Sequence, residues 1–275
     1  MKRVIQISDT HLSPSKTHFG ANWPPLASWL AKQDADLIIH TGDVTVDGAD
    51  VEEDMRFCAA QLAELPAPVL AVPGNHDVGE AGHPWQPVNR DRVERWRRHF
   101  GPDWWSHDIE EWRLIGLDSM LFGSETQEEA EQFEWLQRLM AESDGRRLAV
   151  FTHRPFMIEG PEEPDTGYWS VKPEPRRKFL DLFDRHDVAL VATGHLHRSH
   201  DTVIGGRRYI WGGSSGFLVG TIAPPMPGEA LLGAVIYEFD GREVTATRAE
   251  VPGLSTYWID DVVHEVYPTP QATKA

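Results

Sequence analysis

The 275-residue chain is poor in cysteine, in positive charge and in long apolar runs, and each shortage excludes a class of protein. The single cysteine, Cys58, excludes an internal disulfide and fits a reducing compartment. The formal net charge of −17 argues against non-specific binding to nucleic acid or to an anionic membrane. No apolar run approaches membrane-spanning length, and we expect no signal peptide because residues 4–7 already resemble a strand. Together these features predict a cytoplasmic protein that does not bind membranes.

The rest of the composition is that of a globular protein, with 40% apolar and 25% charged residues. No linker-like stretch divides the chain, so we expect one large domain over residues 1–250. An aromatic tail follows over residues 251–275, and it could form a lid or a contact in a homo-oligomer.

Predicted strands and helices alternate over the first two thirds of the chain. Short apolar runs predict strands at 3–7, 36–40, 69–72, 113–117, 148–151 and 188–192, and amphipathic stretches predict helices at 25–34, 50–65, 89–100, 127–140 and 174–186. This order predicts a parallel sheet covered by helices. Beyond residue 200, strands at 201–204, 207–212, 231–239 and 243–250 with short turns predict a largely antiparallel region.

Side chains that bind metals follow five of these strands. They are Asp9 with His11, Asp43, Asn75 with His76 and Asp77, His153, and His195 with His197. The carboxyl ends of parallel strands meet at one edge of a sheet, where open α/β proteins hold their ligands. A glycine precedes three of the clusters and lets the backbone approach closely. One such histidine alone is usually only hydrogen-bonded, but their joint occurrence predicts a metal site.

The types of ligand narrow the choice of metal. Oxygen and nitrogen donors without a thiolate suit Fe, Mn, Zn or Co. There are enough groups for two ions, and a carboxylate such as Asp43 could bridge them. Bound metal would also supply the local positive charge that an acidic protein needs to handle phosphates.

The order Asp-x-His, Gly-Asp, Gly-Asn-His-Asp, His and Gly-His-x-His resembles the calcineurin-like metallophosphoesterase superfamily. Residues 41–48, 117–119 and 132–136 are similar to its branch of class III cyclic nucleotide phosphodiesterases and glycerophosphodiesterases. The resemblance implies an α/β fold, a four-layer αββα sandwich of two mixed β-sheets flanked by helices. It also implies hydrolysis of small phosphodiesters, such as glycerophosphodiesters or cyclic nucleotides, by in-line attack of a metal-bound hydroxide.

The resemblance also implies a role for each residue. One ion would be held by Asp9, His11, Asp43 and His197, and the other by Asp43, Asn75, His153 and His195, with Fe and Mn favoured. Asn75 and His76 would contact the substrate, and His76 would stabilise the developing charge and protonate the leaving oxygen without binding metal. Asp77 would orient a neighbouring imidazole.

The chain departs from that branch after the fourth motif. The branch commonly has a second histidine and two prolines there, whereas this chain continues from His153 with Arg154, Pro155 and Phe156. The planar fork of an arginine suits a phosphate oxygen. We therefore expect Arg154 to bind the substrate, and the departure bears on which substrate is bound rather than on the chemistry.

Three long loops, at 13–25, 155–173 and 214–229, follow strand ends that lie near the candidate ligands. Their aromatic residues could pack on a base or an alcohol group of the substrate, or could simply anchor the loops. These residues are Trp23, Tyr168, Trp169 and Phe217.

Two other functions fit the same motifs. The first is a phosphomonoesterase of the same superfamily. The second is a non-catalytic scaffold, because some members of the superfamily have lost ligands and serve in assemblies. All seven ligands and His76 are present in this chain, which disfavours the scaffold.

Overall fold

The short apolar runs of the sequence form most of the strands in the computed structural model, which describes residues 1–268. The strands are β1 (Lys2–Ile7), β2 (Leu37–His40), β3 (Val69–Ala71), β4 (Trp105–Ile109), β5 (Trp112–Gly116), β6 (Arg147–Phe151), β7 (Val188–Thr193), β8 (Ser199–Ile204), β9 (Arg207–Gly212), β10 (Ala234–Asp240) and β11 (Glu243–Ala249). The helices are α1 (Trp23–Leu30), α2 (Glu52–Ala63), α3 (Asn75–Val78), α4 (Arg90–Phe100), α5 (Gln127–Ala141), α6 (Pro173–Phe183) and α7 (Ile259–Val266).

The strands form two mixed sheets. The first has the order β11-β10-β1-β2-β3, in which β1, β2 and β3 are parallel. The second has the order β4-β5-β6-β7-β9-β8, with β5, β6, β7 and β9 parallel and an antiparallel strand at each edge. The C-terminal strands are therefore divided between the sheets, and β9 pairs in parallel with β7 although most of this region is antiparallel, as predicted.

Three apolar clusters hold the layers together. Between the two sheets, Ile39 and Phe151 are fully buried. On the outer face of the first sheet, Cys58 of α2 lies in a second cluster, and on the outer face of the second sheet Leu136 and Phe179 come from α5 and α6. Burying a large aliphatic or aromatic side chain contributes about 1.5–3 kcal/mol. These layers are the predicted αββα sandwich.

The sequence did not predict β4, which pairs with β5 across a tight turn at Glu110 and Glu111. Only the first and last residues of this edge strand, Trp105 and Ile109, are buried. The three residues between them are polar and exposed, so no apolar run marks the strand.

The described part of the C-terminal tail lies against the rest of the chain. In α7, Ile259 and Val266 pack in a fourth apolar cluster with Phe19 and Phe217. A domain boundary at residue 250 stays a prediction, and residues 269–275 of the tail lie outside the described residues. Within residues 1–268, none of the helices combines the length and the apolar character needed to cross a bilayer.

Candidate metal centre

The carboxyl ends of strands from both sheets meet at one place, and the predicted ligands lie there. These residues are Asp9, His11, Asp43, Asn75, His153, His195 and His197, and each is at most 7% exposed. Asp9 and His11 follow β1, Asp43 follows β2, and Asn75 opens the helical turn after β3. The histidines of the second sheet follow β6 and β7.

One group of donors contains Asp9, His11 and His197, whose ligand atoms all lie within 4.8 Å of one another. The Nε2 atom of His197 is 3.3 Å from Oδ1 of Asp9, and Nε2 of His11 is 4.0 Å from the same oxygen. The group therefore joins residues from the two sheets.

A second group contains Asp43, His153 and His195. The Nε2 atom of His153 lies 3.2 Å from Oδ2 of Asp43 and 3.1 Å from Nδ1 of His195. The amide oxygen of Asn75 is 3.2 Å from the same Nε2. Asp43 also reaches the first group, because its Oδ2 is 3.7 Å from Nε2 of His11.

His76 lies at the border between the centre and solvent. It is half-buried, its backbone N–H donates to Oδ1 of Asp43 at 2.9 Å, and its Nδ1 is 3.2 Å from the carbonyl oxygen of Val46. Its donor atoms also form a group with those of His11 and Asp43. The prediction that His76 faces the substrate without binding metal stays a prediction.

The backbone is strained at the ligand positions. Nine non-glycine residues of the described chain have a positive φ, and five of them are candidate ligands. These five are Asp9 (φ 53°), His11 (44°), Asp43 (52°), His195 (71°) and His197 (52°). A left-handed conformation costs a non-glycine residue about 1–3 kcal/mol, and such residues cluster at functional sites.

Two glycines show how closely the backbone segments approach each other. A Cβ atom on Gly194 would lie 2.6 Å from Oδ2 of Asp9, and one on Gly42 would lie 2.6 Å from Nδ1 of His153. Gly42 also has a φ of 90°, which favours glycine. The close approach expected from the sequence is therefore present.

Backbone carbonyls orient three of the imidazoles. The pairs are Nδ1 of His153 with Thr41 (2.8 Å), Nε2 of His195 with Tyr168 (2.8 Å) and Nδ1 of His197 with Phe217 (2.7 Å). Each contact fixes the tautomer and points the other ring nitrogen into the centre, as the outer partners of metal ligands do.

His11 has a different outer partner. Its Nδ1 lies 2.8 Å from the hydroxyl oxygen of Tyr267, which belongs to the C-terminal tail. Its Nε2 is buried, faces the carboxylates and has no hydrogen-bond partner among the described residues. A buried nitrogen without a partner is costly, and a metal ion would satisfy it.

The charges of the centre also suit metal ions. Burial lowers the pKa of His11 and of His195 well below the usual value, so both are neutral at pH 7, as metal ligands must be. Burial alone would raise the pKa of Asp43, but nearby histidines hold it well below its usual value. Burial likewise lowers the pKa of His153, but Asp43 outweighs it and raises that pKa to about 9. A proton on His153 thus balances the negative charge of the Asp43 carboxylate. A bound metal cation would supply that positive charge instead.

The calcineurin-like phosphoesterase family model matches residues 2–199. The chain belongs to the calcineurin-like phosphoesterase family.

Proteins and structures similar to this family member agree with that assignment. The chain is 27% identical over 219 residues to the probable glycerophosphodiester phosphodiesterase GpdQ of Arcobacter nitrofigilis, covering 73% of each. It is 28% identical over 242 residues to the 3′,5′-cyclic adenosine monophosphate phosphodiesterase CpdA of Escherichia coli K12, covering 81% of this chain and 82% of that protein.

A solved structure shows the same fold. Purple acid phosphatase PPD1 from yellow lupin seeds matches with a TM-score of 0.68 at 15% identity, over 93% of this chain and 52% of the lupin chain. This chain therefore spans about half the length of the lupin enzyme.

Asp77 of this family member has partners other than the imidazole expected from the sequence. Its buried carboxylate accepts hydrogen bonds from the backbone N–H groups of Gly74 (2.9 Å), Val44 (3.2 Å) and Thr45 (2.9 Å), and from the hydroxyl of Thr45 (2.7 Å). Asp77 thus ties the turn that carries Asp43 to the turn that carries Asn75.

Arg154 lies at the edge of the centre, paired with Glu80. Its guanidinium carbon is 5.9 Å from the centre of the Tyr168 ring, and the side chain is buried. The ion pair neutralises the charge of Arg154. To bind a substrate, the Arg154 guanidinium would have to contact the substrate and Glu80 at the same time.

An open cleft of about 470 Å³ leads to the centre. It is lined by Lys16, Asp47, Asp50, Asn75, His76, Glu80, His83, Trp85, Gln86, Tyr168, Tyr267 and Pro268. Another cavity, of about 310 Å³ beside α6 and the turn between β8 and β9, is lined by none of the candidate ligands. The first cleft is therefore the candidate substrate site.

The loop aromatics divide between the two roles considered from the sequence. Trp23 and Phe217 are buried, so they anchor loops, and the Phe217 ring packs 4.5 Å from that of His11. Trp169 packs against the same cluster as Phe217. Tyr168 is 40% exposed, lines the cleft and lies 4.6 Å, ring to ring, from His195.

Proposed function

We propose that this chain hydrolyses small phosphodiesters with two metal ions held by its candidate metal centre. The position of Asp43 carries the proposal, because its Oδ2 lies 3.7 Å from Nε2 of His11 and 3.2 Å from Nε2 of His153. One carboxylate thus reaches a nitrogen donor in each group, which a bridging ligand must do. The ligands would be Asp9, His11, Asp43 and His197 for one ion, and Asp43, Asn75, His153 and His195 for the other, with Fe and Mn favoured.

When bound, a pair of metal ions generates a nucleophile from water at neutral pH and stabilises the charge of the phosphoryl oxygens. The residues of the chain hold and complement that pair. His76 lines the cleft and is placed to donate a proton to the leaving oxygen, and its contact with Val46 fixes the ring. Asn75 also lines the cleft, where its amide can contact the substrate. Asp77 acts as a positioning residue through the turn that carries Asp43.

Charge favours a diester over a monoester. A monoester dianion is repelled more strongly than a diester monoanion by a protein with a net charge of −17. Each of the three carboxylates in the lining of the cleft is paired with a basic side chain. The charges of these pairs cancel, so the paired side chains supply no excess positive charge that would attract a dianion. The pairs are Asp47 with Lys16, Asp50 with Arg92, and Glu80 with Arg154. The names of the two relatives point the same way.

Kinetics on matched aryl esters test the proposal. Protein loaded with Mn is assayed with bis(p-nitrophenyl) phosphate and with p-nitrophenyl phosphate, then with glycerophosphodiesters, cyclic nucleotides and monoesters. We expect a higher kcat/KM for the diester, and two metal ions per chain by elemental analysis. The Asp43→Asn variant, purified in parallel, shows whether any turnover comes from a contaminant.

Two results would contradict the proposal. A clear preference for monoesters would favour the phosphomonoesterase, and no turnover by protein that holds both ions would favour the scaffold. A cytoplasmic location, a small-molecule partner and a homo-oligomer stay predictions of the sequence.

A further inference from the structure

We propose that Tyr267 is a positioning residue for the ligand His11 and a wall of the substrate cleft, so that the C-terminal segment (residues 251–268) completes the site. The inference rests on the proposed function for its substrate, but its metal-binding part can be tested without turnover. Tyr267 lies outside the family match, which ends at residue 199.

The first observation is the contact between Tyr267 and His11. The hydroxyl oxygen of Tyr267 lies 2.8 Å from Nδ1 of His11, and Nε2 of His11 is buried without a partner in the described chain. If Nε2 binds a metal, the ring proton must sit on Nδ1 and donate to the tyrosine oxygen. The proton of Tyr267 is then free to donate toward the cleft.

The second observation is how this contact differs from those of the other imidazoles. His153, His195 and His197 are oriented by backbone carbonyls, which the sheets and their loops fix. Among these four histidines only His11 has a side chain, rather than a backbone carbonyl, as the partner of its outer ring nitrogen, and that side chain belongs to a residue 256 positions away. Removing one hydroxyl should therefore disturb one metal group and spare the other.

The third observation is the position of the Tyr267 ring. Its centre is 4.4 Å from that of the His76 ring, at an interplanar angle of 36°. Tyr267 and His76 both line the cleft. A substrate that reaches His76 must therefore pass beside the tyrosine ring.

Tyr267 is held in place by the helix before it. In α7, Val266 is fully buried, its carbonyl oxygen accepts a hydrogen bond from Nζ of Lys16 at 2.5 Å, and the N–H of Tyr267 donates to Val263 at 2.8 Å. At the start of the helix, the carboxylate of Asp260 accepts a hydrogen bond from the N–H of Gly220 at 2.8 Å. These contacts hold the backbone at Tyr267, from which the ring extends to His11 and His76.

Metal titration of the Tyr267→Phe variant tests the role of the hydroxyl. Metal-stripped wild type and variant are titrated with Mn²⁺ by calorimetry, and the bound metal is counted after dialysis. We expect one of the two sites to weaken about 10- to 100-fold, as is usual when an outer partner of a ligand is lost, and the other to keep its affinity. Two sites of wild-type affinity would overturn the positioning role.

Tyr257→Phe is the matched control. Tyr257 lies in the same segment and apolar cluster, but its ring packs 6.1 Å from that of Phe19 rather than against an imidazole. This variant should bind Mn²⁺ like the wild type. Equal weakening in both variants would mean that the segment as a whole, and not the Tyr267 hydroxyl, supports His11.

The Tyr267→Ala variant tests the ring. Because Tyr267→Phe keeps the ring, only the alanine variant should change KM unequally between bis(p-nitrophenyl) phosphate and a glycerophosphodiester. A thermal melt of each variant shows whether α7 remains docked. An equal change in KM for both diesters would overturn the role as a wall. Wild-type protein that binds two ions but turns over no phosphodiester would refute the proposed function, and the Mn²⁺ titrations would still decide the role of the hydroxyl.

Discussion

The two sheets bring different chemistry to the candidate metal centre. The first sheet supplies both carboxylates, Asp9 and Asp43, whereas the second supplies only the imidazoles of His153, His195 and His197. An imidazole contributes a donor atom without negative charge, so the negative charge that attracts cations comes from one side of the site. Losing a carboxylate should therefore cost more than losing an imidazole.

The largest expected effect is that of Asp43→Asn. The side chain is nearly isosteric but loses the charge of the one carboxylate that reaches both donor groups. We expect both ions to be lost and kcat to fall more than about 10⁴-fold, because without them the pKa of the attacking water is no longer lowered toward neutrality. Elemental analysis and diester turnover measure the two losses.

Asp36→Asn is the matched control for this substitution. Asp36 lies just before the opposite end of β2, where it is exposed and pairs with Lys2. This variant should keep both ions and full activity. If the Asp43→Asn protein also kept both ions, the carboxylates of the first sheet would not be the main source of metal affinity.

The next effect is that of His76→Ala, which should remove a proton donor from the first-sheet side without removing a ligand. General acid–base catalysis is worth about 10²- to 10⁴-fold, so kcat should fall in that range while both ions remain. The loss should be smaller for a nitrophenyl diester, whose leaving oxygen needs little protonation, than for an alkyl diester. Loss of one ion would show instead that His76 is a ligand. Its donor atoms lie close enough to those of His11 and Asp43 for this.

A smaller effect is expected for His195→Ala on the second sheet. One ion should bind about 100-fold more weakly. Loss of an outer partner of a metal ligand usually costs about 10- to 100-fold in affinity, and loss of a ligand itself should cost at the upper end of that range. The other ion should stay bound, because Asp43 and Asp9 keep their charges. Titration with Mn²⁺ measures both sites, and a loss of both ions would show that the imidazole side matters as much as the carboxylates.

The smallest expected effect is that of His40, in the first sheet, on the stability of the fold at acid pH. Burial lowers the pKa of His40, at the end of β2, to about 4, against about 6.5 in an unfolded chain. Between these values the unfolded chain binds the extra proton, so folding stability is present above about pH 6.5 and is lost as the pH falls toward 4. From pH 7 to pH 5 this one residue should cost about 2 kcal/mol.

Urea unfolding of His40→Gln at pH 7 and pH 5 checks this effect. Glutamine can still bond the hydroxyl of Thr10, which lies 3.0 Å from Nε2 of His40, but it does not titrate. The variant should lose about 2 kcal/mol less than the wild type on acidification. His107→Gln, at an exposed position of β4, should lose as much as the wild type, and equal losses in all three proteins would contradict the assignment to His40.

The place of the candidate ligands at one edge of the sheets could be predicted from the sequence because each of them closely follows a strand. A short apolar run ending in Asp9 or Asp43 gives both the residue type and its place at the edge of the sheet. The contact of Tyr267 with His11 could not be predicted in this way, because no local pattern links residues 256 positions apart. The hydrogen bonds of Asp77 could not be predicted either, since they depend on how two turns meet.

The left-handed backbone at five of the seven candidate ligands has a consequence for any effort to improve this protein. Each of these residues holds its side chain in the centre at a conformational cost of about 1–3 kcal/mol, which glycine at the same position would largely avoid. Selection for heat resistance alone should therefore replace residues such as His195 early and yield a sturdier but inactive protein. Libraries built for thermostability should hold these positions constant.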